Sequence, residues 1–228
     1  MYVIFDMDGV ILDSERLYAR ACDHACQVLD LPVDLMRETM VRCTGVTWDV
    51  EEKIVREAFA HIPHFSYEEM LEVVGDYFND AVEKGQLVLK PGAEELLIWL
   101  KDQEIKTGLA SSTGMDTIKK ELEGLNVLSL FDVIVSGDMV THSKPDPEIF
   151  LMCAEKMGIS PEDYADTYVV EDSYNGIRAA YEAGMMPVMV PDRLEPTDEM
   201  REKACMILPS LPEFMSYLRV SRGLPYIQ

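Results

Sequence analysis

The stretch Tyr2-Val3-Ile4-Phe5, followed by Asp6-Met7-Asp8-Gly9, decides the fold. Four apolar residues without polar alternation suit a strand buried on both faces, as in a parallel sheet. The run stops abruptly at a carboxylate. Outward from it the same pattern recurs: Thr107–Ala110 stops at Ser111, Val133–Val135 at Ser136, residues 168–170 at Glu171, and residues 187–190 at Pro191-Asp192. Helical patterns lie between. Residues 93–101 carry Leu96, Leu97 and Leu100 on one face after a Pro91-Gly92 turn. Residues 146–156 open near Pro147, carry Ile149, Phe150 and Cys153, and stop at Met157-Gly158. Residues 173–183 repeat Ile177, Ala180 and Tyr181 before Gly184. Strand alternating with helix over residues 86–208 predicts an α/β fold with a Rossmann-like, doubly wound parallel sheet.

Residues 15–85 break that alternation. They show amphipathic helices and no convincing strand. The clearest helix covers residues 67–82, with Tyr67, Met70, Leu71, Val74, Phe78, Ala81 and Val82 on its apolar face and a Ser66/Glu69 capping box at its start. Residues 15–29 and 50–59 form two more. The first strand is therefore followed by an inserted all-helical cap. Residues 1–14 and 86–228 make the α/β core, and residues 15–85 the cap. Residues 221–228 continue no period and are expected to be a loose tail.

The chain has 228 residues, 48% hydrophobic and 27% charged, which fits a folded globular protein and excludes a disordered one. Lys+Arg 20 against Asp+Glu 42 leave a net charge of −22. That balance repels phosphate backbones and anionic lipid, so neither nucleic acid nor a membrane surface is an expected partner. It also puts a phosphorylated ligand at a long-range disadvantage, so local cations must draw it in. No apolar run approaches ~18 residues, and Met1–Phe5 does not resemble a signal peptide. Cys22, Cys26, Cys43, Cys153 and Cys205 are odd in number, scattered and without C-x-x-C, which predicts a reduced, cytoplasmic protein. Cys22 and Cys26 share a helical face, but His24 is turned elsewhere, so no metal site is expected there.

In an open α/β sheet, ligands bind beyond the carboxyl ends of the strands, so the residues just after the apolar runs converge. They are Asp6 and Asp8, Ser111 and Ser112, and Glu171 and Asp172, with Lys144 a few residues past its strand. Clustered carboxylates suit a hard divalent cation, and Mg²⁺ prefers oxygen ligands. A hydroxyl at a helix N-terminus and a lysine suit an anion, most simply a phosphate. Singly, each residue has a plainer reading. Asp8-Gly9 is then a β-turn, Ser111, Ser112 and Asp172 are helix caps, and Lys144 is a solvated charge. Occurring together at corresponding strand ends, they favour a site.

The stretches Asp6-Met7-Asp8-Gly9-Val10, Leu109-Ala110-Ser111-Ser112, Ser143-Lys144-Pro145-Asp146-Pro147 and Val170-Glu171-Asp172-Ser173 stand in an order that resembles the haloacid dehalogenase superfamily, in its phosphatase and phosphomutase branch. Val10-Ile11-Leu12-Asp13-Ser14-Glu15 looks like the start of members with a helical cap after the first strand. The resemblance implies an Mg²⁺-dependent phosphatase of a small phosphorylated metabolite, a sugar phosphate or similar phosphomonoester. In it Asp6 is the nucleophile that forms an aspartyl-phosphate, and Asp8 the acid and then base, holding a proton near neutral pH while Asp6 stays ionised. Ser111, with Ser112 beside it, and Lys144 hold the phosphoryl oxygens. Asp6, Asp172 and the backbone carbonyl of Asp8 hold Mg²⁺, and Glu171 is either a further ligand or a partner behind the ligands. A cap hinged near residues 13–15 and 83–86 closes over the substrate, and a monomer is the expected state because a moving cap needs a free face.

The alternative within the family is a β-phosphoglucomutase-like sugar phosphomutase. Such mutases carry a lysine, an arginine and a histidine where Thr44, Trp48 and Tyr18 stand here. Those three residues become candidates for the pocket that chooses the substrate, and an aromatic wall there suits deoxy or less polar leaving groups. Trp48 reads equally as a residue of the cap's own core. A dehalogenase lacks the second Asp, and a phosphonate hydrolase needs a desolvated cap lysine. Lys53 instead stands among Glu51, Glu52 and Glu57, read as solvated neighbours. Outside enzymes, a phospho-accepting receiver or phosphate-binding module also uses clustered Asp residues and a Lys-Pro, but has no use for a helical cap. His61, His64 and His142 read as surface loop residues, and Met185, Met186 and Met189 as core packing.

Overall fold

All five apolar runs form strands, and every strand pair is parallel, as expected for runs buried on both faces. The computed structural model describes residues 1–224. The strands β1 (Tyr2–Phe5), β2 (Thr107–Ala110), β3 (Val133–Val135), β4 (Thr167–Glu171), β5 (Met186–Met189) and β6 (Met206–Ile207) lie in the order β3-β2-β1-β4-β5-β6. In register, Phe5 pairs with Leu109 on one side and Val170 on the other. The chain winds from β1 to one edge through β2 and β3, then restarts beside β1 with β4. The carboxyl ends of β1 and β4 therefore flank the switch point, where an open sheet presents a crevice.

Side chains alternate across the sheet and build two layers. Val3, Phe5, Leu109, Val170 and Val188 face α5 (Ala93–Asp102), α6 (Met115–Gly124) and α10 (Leu211–Ser221) through Leu96, Leu100, Ile118, Phe214 and Leu218. On the other side, Ile4, Ala110, Val135 and Val169 meet α7 (Glu148–Met157) and α8 (Tyr174–Glu182) through Ile149, Phe150, Cys153 and Ala180. A short α9 (Asp198–Lys203) adds Met200 against Ile177 and Met189. Three of these elements escaped the sequence reading. β6 is two residues long and too short to show a period, and it draws α9 and α10 with it. Ser221 ends α10, and the amides of Gly223 and Leu224 bond back to Val220 and Arg219. The expected tail thus begins as a helix terminus; residues 225–228 lie outside the described residues.

Between β1 and α5 stand four helices: α1 (Glu15–Val28), α2 (Val33–Cys43), α3 (Trp48–Phe59) and α4 (Tyr67–Glu83). Helix α2 was not anticipated, because its buried face is carried by Met36, Met40 and Cys43 rather than by large aliphatics. The four share their own core, which includes Ala21, Cys22, Met36, Val55, Phe59, Met70 and Val74. Ser66 caps α4 by accepting from the amide of Glu69. The chain enters and leaves this helical insertion through a paired neck: the Asp13 amide donates to the Val88 carbonyl at 2.9 Å, and that of Lys90 to Ile11 at 2.8 Å. At its far side the insertion rests on the strand ends through residues 44–47. Ser112 Oγ donates to the Gly45 carbonyl (3.1 Å), Asn175 Nδ2 to that of Thr44 (3.3 Å), and the Thr47 amide to Ser143 Oγ (2.8 Å). Gly45 has φ +79°, and a Cβ there would lie 2.5 Å from Ser173 Oγ, so only glycine lets the insertion seat this closely.

Candidate active site

Asp6 follows β1 directly, and Glu171 and Asp172 follow the apolar part of the neighbouring β4. Parallel pairing in register places these ends side by side, and the Asp6 amide donates to the Val170 carbonyl at 3.0 Å. Lys144 reaches the same point from the loop after β3. Its buried Nζ donates to Asp6 Oδ1 at 2.6 Å, Glu171 Oε1 at 2.7 Å and the Ala110 carbonyl at 3.2 Å, so all three ammonium protons are engaged. Burial by itself would pull this lysine down, but the Asp6 and Glu171 carboxylates overturn it and hold it above its ordinary range.

Asp6 is pushed up to about 8, chiefly by burial, against the pull of Lys144. Burial also drives Asp172 well above the usual carboxylate range, with Glu171 and Glu15 adding to it. Asp6, Glu171 and Asp172 each bring an oxygen within 4.8 Å of the others. Three carboxylates against one ammonium leave a buried excess of negative charge. Asp172 Oδ2 is buried and has no hydrogen-bond partner. Opposite it, Gly9 has φ +77°, and a Cβ there would sit 2.3 Å from that oxygen. An orphaned carboxylate oxygen, an uncompensated anionic cluster and a backbone kept bare beside it fit a hard divalent cation. Glu171 is placed differently from Asp172. Its Oε2 accepts from the Asp172 amide (3.1 Å), the Ser173 amide (3.0 Å) and Ser173 Oγ (2.9 Å), so with Lys144 on Oε1 it ties the lysine to the β4 turn.

Asp8 projects from the turn after β1. Its two carboxylate oxygens accept from Ser14 Oγ at 2.6 Å and Thr113 Oγ1 at 2.8 Å. Neither hydroxyl was singled out in the sequence. A serine ahead of α1 reads in sequence as an ordinary N-cap, and only the structure shows that its hydroxyl caps nothing and serves Asp8. Ser111 is fully buried, and its Oγ accepts from the Thr113 amide at 3.1 Å, which leaves its own proton available to donate. Ser112 faces the helical insertion and bonds Gly45.

Above these residues lies a cavity of about 310 Å³. Asp6, Asp8, Ser112 and Asp172 line it from the sheet side, and Tyr18, Thr44 and Trp48 from the insertion. The Tyr18 ring meets Trp48 and Phe78 edge-on, at 6.0 and 6.4 Å. Three further carboxylates line it, Glu15, Glu51 and Glu121, and the sequence reading missed all three as site residues. Glu51, taken above as a solvated neighbour of Lys53, is instead 8% exposed, and its Oε1 accepts from the Tyr18 hydroxyl at 2.8 Å. It shares the buried face of α3 with Val55 and Phe59, whereas Lys53 points to solvent. Glu121, on α6, is 6% exposed. These signals were obscured because acidic residues are common throughout this chain. His61 and His64 are exposed, and His142 is a surface residue bonded to Glu148 at 2.9 Å. Cys22 and Cys26 are buried free thiols, and the His24 ring packs on Tyr77. No helix among the described residues is long and apolar enough to cross a membrane.

A sequence model of the haloacid dehalogenase-like hydrolases matches residues 3–190. The chain is 33% identical over 187 residues to a phosphorylated carbohydrates phosphatase of Thermotoga maritima, covering 80% of this chain and 81% of the relative. It is 35% identical over 220 residues to a Drosophila melanogaster protein named "Probable pseudouridine-5'-phosphatase", covering 93% and 90%. The crystal structure of a β-phosphoglucomutase from Clostridium difficile superposes with a TM-score of 0.74 at 26% identity, over 97% of this chain and 96% of that one. Match, strand order and the convergence of the four sequence stretches agree: the chain belongs to the haloacid dehalogenase-like hydrolase family.

Proposed function

We propose that the protein is an Mg²⁺-dependent phosphatase that hydrolyses a small phosphomonoester, a phosphorylated sugar or similar metabolite, through an aspartyl-phosphate on Asp6. The observation that carries this reading is the buried Asp6–Lys144–Glu171 chain beside the unpartnered oxygen of Asp172, with Asp6 and Asp172 lining a cavity roofed by helices. Residues 15–85 act as the cap and residues 1–14 with 86–228 as the core; the paired neck is the place where the cap can swing.

Asp6, Asp172 and the backbone carbonyl of Asp8 would hold the cation, with Glu171 fixing Lys144 behind them. When bound, Mg²⁺ supplies positive charge that keeps Asp6 ionised and offsets charge on the phosphoryl oxygens. Asp6 Oδ forms the bond to phosphorus as the ester P–O bond breaks, and Asp8 gives its proton to the departing oxygen. Both partners of Asp8 are hydroxyls, which can donate or accept, so it can carry or release that proton without leaving a partner unpaired. Water then attacks the aspartyl-phosphate, gives its proton to Asp8, and inorganic phosphate leaves. Lys144 is fully engaged before the reaction. Once Asp6 Oδ carries phosphorus, its charge moves to the phosphoryl oxygens, and Nζ follows that charge while Ser111 donates its free proton to the same group. The Ser112 bond to Gly45 links the phosphate end of the site to cap closure.

The test is inorganic phosphate release from a panel of sugar phosphates and other small phosphomonoesters, with Mg²⁺ and with chelator. Release that requires Mg²⁺ and drops by several orders of magnitude in Asp6→Asn is expected. Equal release in chelator, or near-normal turnover by Asp6→Asn, would sink the assignment. Isomerised sugar phosphate without release would establish the mutase instead.

A further inference from the structure

We propose that Glu121, together with Glu51 of the cap, selects an uncharged leaving group that presents hydrogen-bond donors (hydroxyl or N–H) and rejects one that carries a second negative charge. This rests on the phosphatase reading of the same cavity.

Glu121 sits on α6 of the core, whose other buried residues, Ile118 and Leu122, pack into the main hydrophobic layer. It lines the cavity, is 6% exposed, and neither of its oxygens accepts a hydrogen bond from the described residues. Burial, with Asp8 as the next cause, pushes it up to about 8. Its oxygens open on the cavity, and a largely enclosed carboxyl that takes no donor from the protein is costly, with no packing or capping role in α6 to offset it. Such violations of local rules concentrate where a ligand completes the set. Glu51 repeats the arrangement from the cap side: Oε1 takes the Tyr18 hydroxyl, and Oε2 accepts nothing. Glu121 lines the same cavity as Asp8, so a leaving group seated over Asp8 lies against it. Donors are therefore wanted there, next to a wall of Trp48 and Phe78 that can cover a carbon skeleton.

Above about pH 8, where Glu121 has lost its proton, the same two carboxylates repel an anion. Lys120 is the one cationic side chain among the described residues lining the cavity, and its Nζ donates to Asn79 Oδ1 at 3.1 Å near the solvent edge. A carboxylate or second phosphate on the leaving group meets more like charge than opposite charge, which is selection by repulsion as well as attraction. The donor requirement departs from the expectation drawn from the aromatic wall alone, that deoxy or less polar leaving groups would suit.

The test compares kcat/KM at pH 8.5, where Glu121 is ionised, for phosphate release from sorbitol 6-phosphate (hydroxyl donors), uridine 5'-monophosphate (ribose hydroxyls and a ring N–H), p-nitrophenyl phosphate (no donors) and phosphoglycolate (anionic). Ratios within one preparation cancel any loss of folded enzyme. The wild type should favour sorbitol 6-phosphate or uridine 5'-monophosphate over phosphoglycolate by at least ~10-fold, and whichever leads serves as the reference substrate for the variants. Glu121→Leu should cut the ratio of that substrate to p-nitrophenyl phosphate by at least ~10-fold, Glu121→Gln should keep most of it, and Glu121→Lys should shift preference towards phosphoglycolate. Ratios unchanged in Leu and Lys would overturn the proposal. If the wild type releases no phosphate from any member, the phosphatase reading fails on its own. Calorimetric binding of sorbitol 6-phosphate to Asp6→Asn and Asp6→Asn/Glu121→Leu then decides: ~10-fold weaker binding upholds the role of Glu121, and equal affinity rejects it.

Discussion

Replacing Lys144 with methionine keeps a stem of similar length and removes the one charge that balances the buried carboxylates. The side chain is 1% exposed, and its partners Asp6 and Glu171 are 10% and 0% exposed, so water cannot replace the lost ammonium. Removing one member of a buried ion pair leaves the other uncompensated and costs about 3–5 kcal/mol. At roughly 2–4 °C per kcal/mol for a chain of this size, the melting temperature should fall by roughly 6–20 °C. The matched control is Arg178→Met, whose Glu199 pair has side chains 36% and 40% exposed and so contributes only ~0–1 kcal/mol. The assay is urea unfolding of both variants in EDTA, so that no cation takes over from the lysine, with the stabilities compared at constant m. A Lys144→Met loss no larger than that of Arg178→Met would mean that the buried triad is not formed in solution, and the argument from charge balance at the site would fall with it.

Two shorter predictions address the backbone beside Asp172 and the free carboxyl in the cavity. Gly9→Ala puts a methyl 2.3 Å from Asp172 Oδ2 at φ +77°; it should cost ~1–2 kcal/mol of stability and raise the half-saturating Mg²⁺ concentration for phosphate release by at least ~10-fold, whereas an unchanged Mg²⁺ dependence would remove Asp172 from the cation site. Glu121 is raised from its ordinary 4.5 to about 8, so the folded protein binds a proton that the unfolded chain has released between those values, and stability is lost as pH rises through about 8. Glu121→Gln carries no such proton. Its stability should match the wild type near pH 5 and exceed it by on the order of 2–5 kcal/mol above pH 8, as read by urea unfolding; parallel pH profiles would show that Glu121 is solvated.

Much of the core was legible because its signals are local. A run such as Tyr2–Phe5 suits a strand buried on both faces, and in a parallel α/β sheet the chemistry gathers where such runs end. Asp6, Glu171 and Asp172 could thus be brought to one point before any contact was known, with Lys144 a few residues past its own strand. The helical insertion was legible as the place where alternation stops, although α2 was not, since Met36, Met40 and Cys43 make a weaker apolar stripe than leucines would.

What the sequence by itself determined, then, is the alternation of five strands with helices in the core and the chemistry at the strand ends, because periodicity and abrupt termination are properties of neighbours along the chain. Tertiary structure alone decided which hydroxyls hold Asp8, that Glu171 anchors Lys144 while Asp172 keeps a free oxygen, and that Glu51 and Glu121 are buried. In a chain with 42 acidic residues, nothing local separates a solvated glutamate from one enclosed between two units. Ser14 and Thr113 reach Asp8 across 6 and 105 positions, and Glu51 and Glu121 share one cavity only because the helical insertion packs over the strand ends. Burial and long-range pairing are set by where distant segments meet, so they emerge only once the chain has folded back on itself.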